Sequence, residues 1–315
     1  MAGLLTLGNW SMSQERVALG IDIGGTNTKM AIVNDHGQPL YQTSFPTRSD
    51  IPFKEYADEV YEQARKLNPD IKLHGVGVGA PNANSAIGEI VKPVNLGWKS
   101  APLVKEFKAR FKTDIFLEND ANVAALGEKV WGLGQNSDHF IVVTLGTGIG
   151  TGIISHGQLI SGPTGLAGEG GHITIYPDGR SCNCGGFGHL EAYASVRGLK
   201  LHVQNQTGDD LKFSEISSEF KKGTAGIVKA VEFAARDLGL GLAQMQTLFN
   251  PDLFILAGGV STLGESFRAR VEHGLNAFTY EPLKHSSKVV LSEIATEHGA
   301  VTGAASLVFW KKPLL

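Results

Sequence analysis

The feature that most constrains this chain is a motif that occurs twice. An apolar run at residues 17–23 enters Asp22-Ile23-Gly24-Gly25-Thr26-Asn27-Thr28-Lys29 and is followed by a second apolar run at residues 30–33. Further on, residues 140–145 run into Gly146-Thr147-Gly148-Ile149-Gly150-Thr151-Gly152 and continue as Ile153-Ile154. Each reads as strand, glycine turn, strand: a hairpin, not the strand–loop–helix of a Walker P-loop. Alone, the first turn reads equally well as an ordinary turn with a capping aspartate. The recurrence changes that reading, because both hairpins run into one tripeptide, His36-Gly37-Gln38 and His156-Gly157-Gln158, 120 positions apart. This period is the size of a domain, not of a solenoid repeat. Glycine turns let backbone N–H groups approach an anion closely. Asp22, at the end of its strand, is placed to hold Mg²⁺.

Around the hairpins the pattern alternates strand and helix. Strands are expected at residues 39–45, 73–79, 115–118, 252–257 and 288–291. Helices are expected at 52–67, from 120 onward, from 190 to 196, and at 214–222, 225–249, 264–276 and 298–309. Phe53, Tyr56, Val60 and Ala64 share one face of the first helix. A chain of 315 residues accommodates two such α/β domains. Its net charge of −3, with no basic run, argues against a nucleic-acid partner. No apolar run approaches the ~20 residues of a membrane helix, so no membrane partner is expected. Residues 1–16 lack the charged and apolar regions of a signal peptide and are set aside as a disordered leader.

Residues 165–191, GLAGEGGHITIYPDGRSCNCGGFGHLE, hold both cysteines of the protein, Cys182 and Cys184, between His172 and His189. Thiolate and imidazole are the donors of a closed tetrahedral Zn²⁺ site. Asp178-Gly179 and Gly185-Gly186 supply turns for a loop that wraps one ion. Free thiols beside unrelated histidines are the plain alternative, and a Cys-x-Cys disulfide would close a strained ring. Two cysteines placed as a metal pair argue for a reducing compartment, hence the cytoplasm.

Gly168-Glu169-Gly170-Gly171-His172 resembles the Glu-x-Gly-His signature of the ROK family of sugar kinases and repressors. Cys182-x-Cys184-Gly185-x-x-Gly188-His189-x-Glu191 resembles its zinc motif, with His189 where the family normally has a third cysteine. The paired hairpins resemble the phosphate loops of the two-domain actin-like ATPase fold. Glu118-Asn119-Asp120-Ala121-Asn122 and the alanine-rich stretch to Glu128 resemble the kinases of the family, its glucokinases most of all. Gly258-Gly259, after a buried strand, resembles the adenosine-side glycine pair of that fold. Asn95-Leu96-Gly97-Trp98 resembles a segment lining the sugar pocket, and Asn82 stands where the family commonly has glycine.

The resemblance implies a two-domain α/β protein with an interdomain cleft. The small domain is expected over residues 17–118 plus 297–315, and the large domain with the zinc loop over 119–296. It implies ATP with Mg²⁺ near Asp22, phosphates against Gly24, Gly25, Thr26, Asn27, Lys29, Gly146, Thr147 and Gly148, and adenosine near Gly258 and Gly259. Asp120 is then the catalytic base. Asn95, Asn119, Glu169, His172 and Glu191 hold the sugar, and His172, Cys182, Cys184 and His189 hold a structural Zn²⁺. A repressor would need a helix-turn-helix module ahead of the first hairpin, where only a short leader stands. The expected activity is ATP-dependent phosphorylation of a hexose 6-hydroxyl, with glucose first and N-acetylglucosamine or N-acetylmannosamine as the runner-up. A bulkier Asn82 is expected to narrow the pocket against an N-acetyl group. A non-catalytic sugar-binding regulator is the alternative of another class. The family also implies a homodimer.

Overall fold

A computed structural model of the chain describes residues 16–92, 96–295 and 298–313. Asn95 and the expected domain boundary at 296/297 fall outside the described residues, as do residues 1–15 of the leader. In chain order the first half holds β1 (Val17–Ile23), β2 (Asn27–Asn34), β3 (Pro39–Pro46), α1 (Phe53–Leu67), β4 (Val76–Gly79), β5 (Ala83–Asn84), β6 (Glu89–Val91), β7 (Ser100–Ala101), α2 (Leu103–Phe111) and β8 (Ile115–Glu118). Then come α3 (Asp120–Trp131), β9 (Phe140–Leu145), β10 (Ile149–Ser155), β11 (Gln158–Leu159), α4 (Glu191–Ala194), α5 (Val196–Thr207), α6 (Phe213–Lys222), α7 (Ala225–Phe249), β12 (Leu253–Ala257), α8 (Glu265–Phe278), β13 (Lys288–Leu291) and α9 (Gly299–Lys311).

Two five-stranded sheets have the same plan. Their orders are β3-β2-β1-β4-β8 and β11-β10-β9-β12-β13. In each, a three-stranded antiparallel meander is extended by two strands parallel to its first strand. The expected repeat of the hairpin is therefore a repeat of a whole sheet. β5, β6 and β7 form a small separate sheet.

Side chains alternate across the strands with a period of two, so each sheet is covered on both faces. Leu19, Ile21, Met30, Ile32 and Val78 pack on Tyr56, Val60, Leu103 and Phe107 of α1 and α2. Ala18, Ala31 and Val33 face Val301, Ala305 and Val308 of α9. In the second sheet, Ile141, Val143, Phe254 and Leu256 pack toward α7 and α8, while Phe140, Val142 and Ile255 meet Val123 and Leu126 of α3 and Leu307 of α9. Thus α3 and α9 lie between the sheets. α9 rests directly on the first of them, where a side chain at Gly20 or Gly77 would strike the carbonyls of Val301 and Ala304. That contact explains why so apolar a helix is built of alanine and glycine.

Two local expectations needed correction. The strand expected at 73–79 begins only at Val76. The helix expected from 190 to 196 is two helices, because Ser195 turns to an extended conformation and caps α5, its side chain accepting from Gly198 N. The helix expected from 120 onward does begin at Asp120, with Asn119 as its cap.

Candidate active site

Both glycine turns lie at the ends of central strands. In the first, Asp22 and Lys29 face one another across the ladder, Gly24 N–H donates to Asn27 O at 3.1 Å, and Gly25, Thr26 and Asn27 are exposed at the tip. In the second, Gly146 N–H donates to Gly148 O at 3.0 Å, closing the turn one residue tighter. This second turn is braced from behind. Glu191 Oε2 accepts from Ile149 N at 3.0 Å, and Val196 N–H donates to Gly146 O at 2.9 Å. A methyl group on Gly148 would collide with the Glu191 carboxylate. Gly258 and Gly259 lie over Leu145, at the base of the same hairpin. Thr147 lines a cavity of about 400 Å³ with Val196, Arg197, Lys200, Leu201, Gln204 and Asp210.

Asp120 stands at the head of α3. Ala121 N–H is shared between Asn119 Oδ1 and Asp120 Oδ1, each at 2.8 Å. The Asn119 N–H donates to Glu118 Oε1 at 2.9 Å, and Asn122 Nδ2 donates to the same oxygen at 3.0 Å. Helix capping thus occupies the Asn119 oxygen and leaves its amide NH₂ outward. Asp120 is exposed to solvent, with protein crowded around its carboxyl. Burial raises its pKa, against the Ala121 N–H, which lowers it.

The charge of Asp120 reaches two other carboxylates. Asp22 is pushed up to about 6, first by burial and then by Asp120, with Lys29 opposing. Glu169 is raised by burial, and Asp120 and Glu191 add to this while His172 opposes it. Asp22 and Glu169 thus both feel the charge of Asp120, and Glu169 that of Glu191, although the four carboxylates come from separate segments. The loop bearing Glu169 is pinned to β10 at Thr151, whose hydroxyl bonds Gly168 O and accepts from Gly170 N. Nothing in the sequence marked Thr151 or Glu118 for these supporting roles, because each acts through a partner distant in the chain or through the backbone.

The expected metal donors also come together. His172, Cys182, Cys184 and His189 each offer an atom, and all four lie within 4.8 Å of one another. A tetrahedral Zn²⁺ with bonds of about 2.0–2.3 Å would set its donors roughly 3.3–3.8 Å apart, so this cluster fits after a small contraction. The two nitrogens of His172 face opposite ways. Nδ1 lies 3.8 Å from Cys182 Sγ, and Nε2 lies 3.9 Å from Glu169 Oε2. Cys184 Sγ is 3.2 Å from His189 Nδ1. Burial pushes the Cys182 thiol up to about 11, and its proton points to Glu191 Oε1 at 3.6 Å.

One expectation about the sugar side loses its basis. Asn82 has φ 52° and donates its side-chain amide to Lys92 O at 3.0 Å. Asparagine and glycine share tolerance of that left-handed backbone. The exchange at this position is thus a turn requirement, and the side chain is committed to Lys92 across the open end of the β5–β6 hairpin instead of narrowing a pocket.

The sequence pattern of the ROK family matches residues 18–311. The glucokinase of Halalkalibacterium halodurans is 30% identical over 312 residues, covering 92% of this chain and 94% of that one. The xylose repressor of Bacillus subtilis is 30% identical over 299 residues, covering 92% of this chain and 76% of the repressor. A ROK family glucokinase from Streptomyces griseus, solved in complex with glucose and AMPPNP, superposes with a TM-score of 0.81 at 29% identity, covering 92% of this chain and 98% of that one. The chain belongs to the ROK family and has the actin-like ATPase fold of its solved members.

Proposed function

We propose that this chain is an ATP-dependent sugar kinase that transfers a phosphoryl group to the 6-hydroxyl of glucose. The observation that carries the reading is Asp120, a solvent-exposed carboxylate at a helix head whose charge reaches both Asp22, beside the first glycine turn, and Glu169. Likeness to the glucokinases supports glucose.

In this reading the phosphates lie against Gly24–Asn27 and Gly146–Gly148, with Thr147 and its cavity on the nucleotide side. Asp22, whose pKa burial and the Asp120 charge raise, suits a divalent cation, and would hold Mg²⁺ directly or through water. Bound Mg²⁺ would offset phosphate charge. The Asn119 amide, Glu169, Glu191 and Nε2 of His172 hold ring hydroxyls. The bond from sugar oxygen to γ-phosphorus forms as the bond to the ADP oxygen breaks, and the hydroxyl proton passes to Asp120. An ordinary aspartate is a weak base; burial strengthens this one. In a loose transition state, positioning supplies much of the rate. Zn²⁺ on Nδ1 of His172, Cys182, Cys184 and His189 would fix the His172 ring, so that its other nitrogen faces the sugar. A small half over 17–118 plus 297–315 would close on a large half over 119–296, as a homodimer in a cytoplasmic setting.

The likeness to xylose repressors favours a second reading, a sugar-responsive protein without turnover. The test is kcat/KM with ATP for glucose, N-acetylglucosamine and N-acetylmannosamine, with the phosphorylated carbon identified by NMR. Glucose is expected to lead by about a hundredfold, the size of a hydrogen-bonded hydroxyl left unpaired. An N-acetylhexosamine turned over equally well would move the assignment to that sugar. Sugar binding without any turnover would place the chain with the regulators.

A further inference from the structure

The loop that carries the zinc donors is fastened to the helices by groups that neither metal nor sugar accounts for. The Tyr176 hydroxyl donates to Asp237 Oδ1 at 2.7 Å. Asp237 Oδ2 lies 3.2 Å from His202 Nε2, somewhat off the line of a straight hydrogen bond. His202 Nδ1 in turn lies 3.3 Å from Arg180 Nη2. Arg180 Nη1 donates to the carbonyls of Ala192 at 3.1 Å and Gly198 at 3.3 Å, and its guanidinium stacks over the Tyr193 ring. Tyr176 and Arg180 belong to the loop, His202 to α5 and Asp237 to α7. Asp237 and His202 are 4% and 8% exposed, too buried for this to be a surface ion pair.

Arginine only donates, so in the contact with Arg180 it is Nδ1 of His202 that accepts, and Nε2 is the nitrogen nearer Asp237. The imidazole thus stands between a cation from the loop and a buried carboxylate from α7. Arg236 adds charge from the rim, its Nη1 being 3.9 Å from Asp237 Oδ1 and 3.4 Å from the Tyr176 hydroxyl. Removing the carboxylate would leave Tyr176 without its acceptor and Arg180 without the charge that His202 relays. Such losses are costly in a buried network.

The fastening reaches the donors because the loop is tied to itself. Gly188 O accepts from Ile175 N at 2.9 Å and Tyr176 N at 3.2 Å, and Gly188 N–H donates to Arg180 O at 2.8 Å. Tyr176 lies four residues after His172, Arg180 two before Cys182, and Gly188 next to His189. We propose that Asp237, acting through Tyr176, His202 and Arg180, is a positioning residue that holds the metal-donor loop in register with Glu191 and the second glycine hairpin. The proposal rests on the metal reading only for one arm of its test.

That test uses the full chain with Asp237→Asn, which keeps shape and removes charge, and Tyr176→Phe, which removes one hydroxyl. Three quantities are read: zinc transfer to a chromogenic chelator, amide hydrogen exchange over residues 173–190, and the sugar KM against kcat. Each variant should speed zinc release roughly tenfold, the scale of a hydrogen bond to a charged group. Exchange should rise in 173–190 and stay unchanged in α8, and KM should rise more than kcat falls. Unchanged exchange over 173–190 in both variants overturns the proposal. So does exchange rising equally through α5, α7 and α8, which would make the cluster ordinary helix packing. If the wild-type chain binds no zinc, the metal reading fails, and the loop's exchange alone still decides this one.

Discussion

The β1–β2 hairpin and the β9–β10 hairpin occupy the same place in two sheets of identical strand order, yet they are held in opposite ways. The first carries charge at the base of its turn, Asp22 facing Lys29, and the turn is bonded within itself and to Thr47 beside it. The second has no ionisable residue in its turn and takes its shape from outside, from Glu191 on Ile149 N and from Val196 on Gly146 O. A duplicated topology has thus been divided into a half that supplies charge and a half that supplies a rigid wall. The wall is only as firm as the metal-donor loop behind it.

This contrast can be broken most severely at Asp120, which follows β8, the last strand of the charge-bearing sheet. Asp120→Asn keeps shape and capping but cannot take a proton. A fall in kcat on the order of 10²–10⁴ is expected, with ATP and sugar binding by calorimetry nearly intact. A loss under about tenfold in a folded protein would leave another residue as the base.

Metal removal attacks the other half. The chain should carry one zinc, measured by elemental analysis of protein purified without added metal. Chelation should cut sugar affinity by at least about tenfold, the scale reported for disturbed metal shells. His189→Ala should lower occupancy; full occupancy in that variant would remove His189 from the donor set.

A paired substitution sharpens the contrast within one turn. Gly148→Ala pushes the Glu191 carboxylate aside and should cost about 1–3 kcal/mol in denaturant unfolding, with a loss in kcat/KM for sugar. At Gly146 the nearest atom to an added methyl is Gly148 O, 4.0 Å away, so Gly146→Ala should leave stability within about 0.5 kcal/mol and raise the KM for ATP. Equal effects at both positions would mean that the brace does not matter.

The smallest expected effect is that of pH on the charged half. Asp22, raised to about 6, should give kcat/KM an acid limb near that value. For stability the sign is fixed by linkage. A carboxyl whose folded pKa is raised favours the fold below its unfolded pKa and loses that contribution as pH rises through its folded value. Asp22→Asn should therefore stabilise the protein above about pH 6 and not below about pH 4. The gain should be about 1–2 kcal/mol, short of the full shift because the carboxyl still reaches water. An identical pH–stability profile for the two proteins would show that Asp22 titrates normally.

The sequence by itself determined the duplicated hairpins, nearly every helix, the grouping of two cysteines and two histidines in the loop, and the position of Asp120. These rest on local signals: apolar periodicity, glycine turns, a helix head, and cysteines close to histidines. Tertiary structure alone decided the rest. It made Asn82 a left-handed turn residue, split the helix at Ser195, and set α9 against the first sheet at Gly20 and Gly77. It also brought Glu191 behind the second hairpin and joined Tyr176, Arg180, His202 and Asp237 across three segments. The reason is physical. A side chain's own type shows what bond it can make, but the partner of a buried carboxylate is chosen by packing between segments dozens of residues apart, and no local pattern carries that choice.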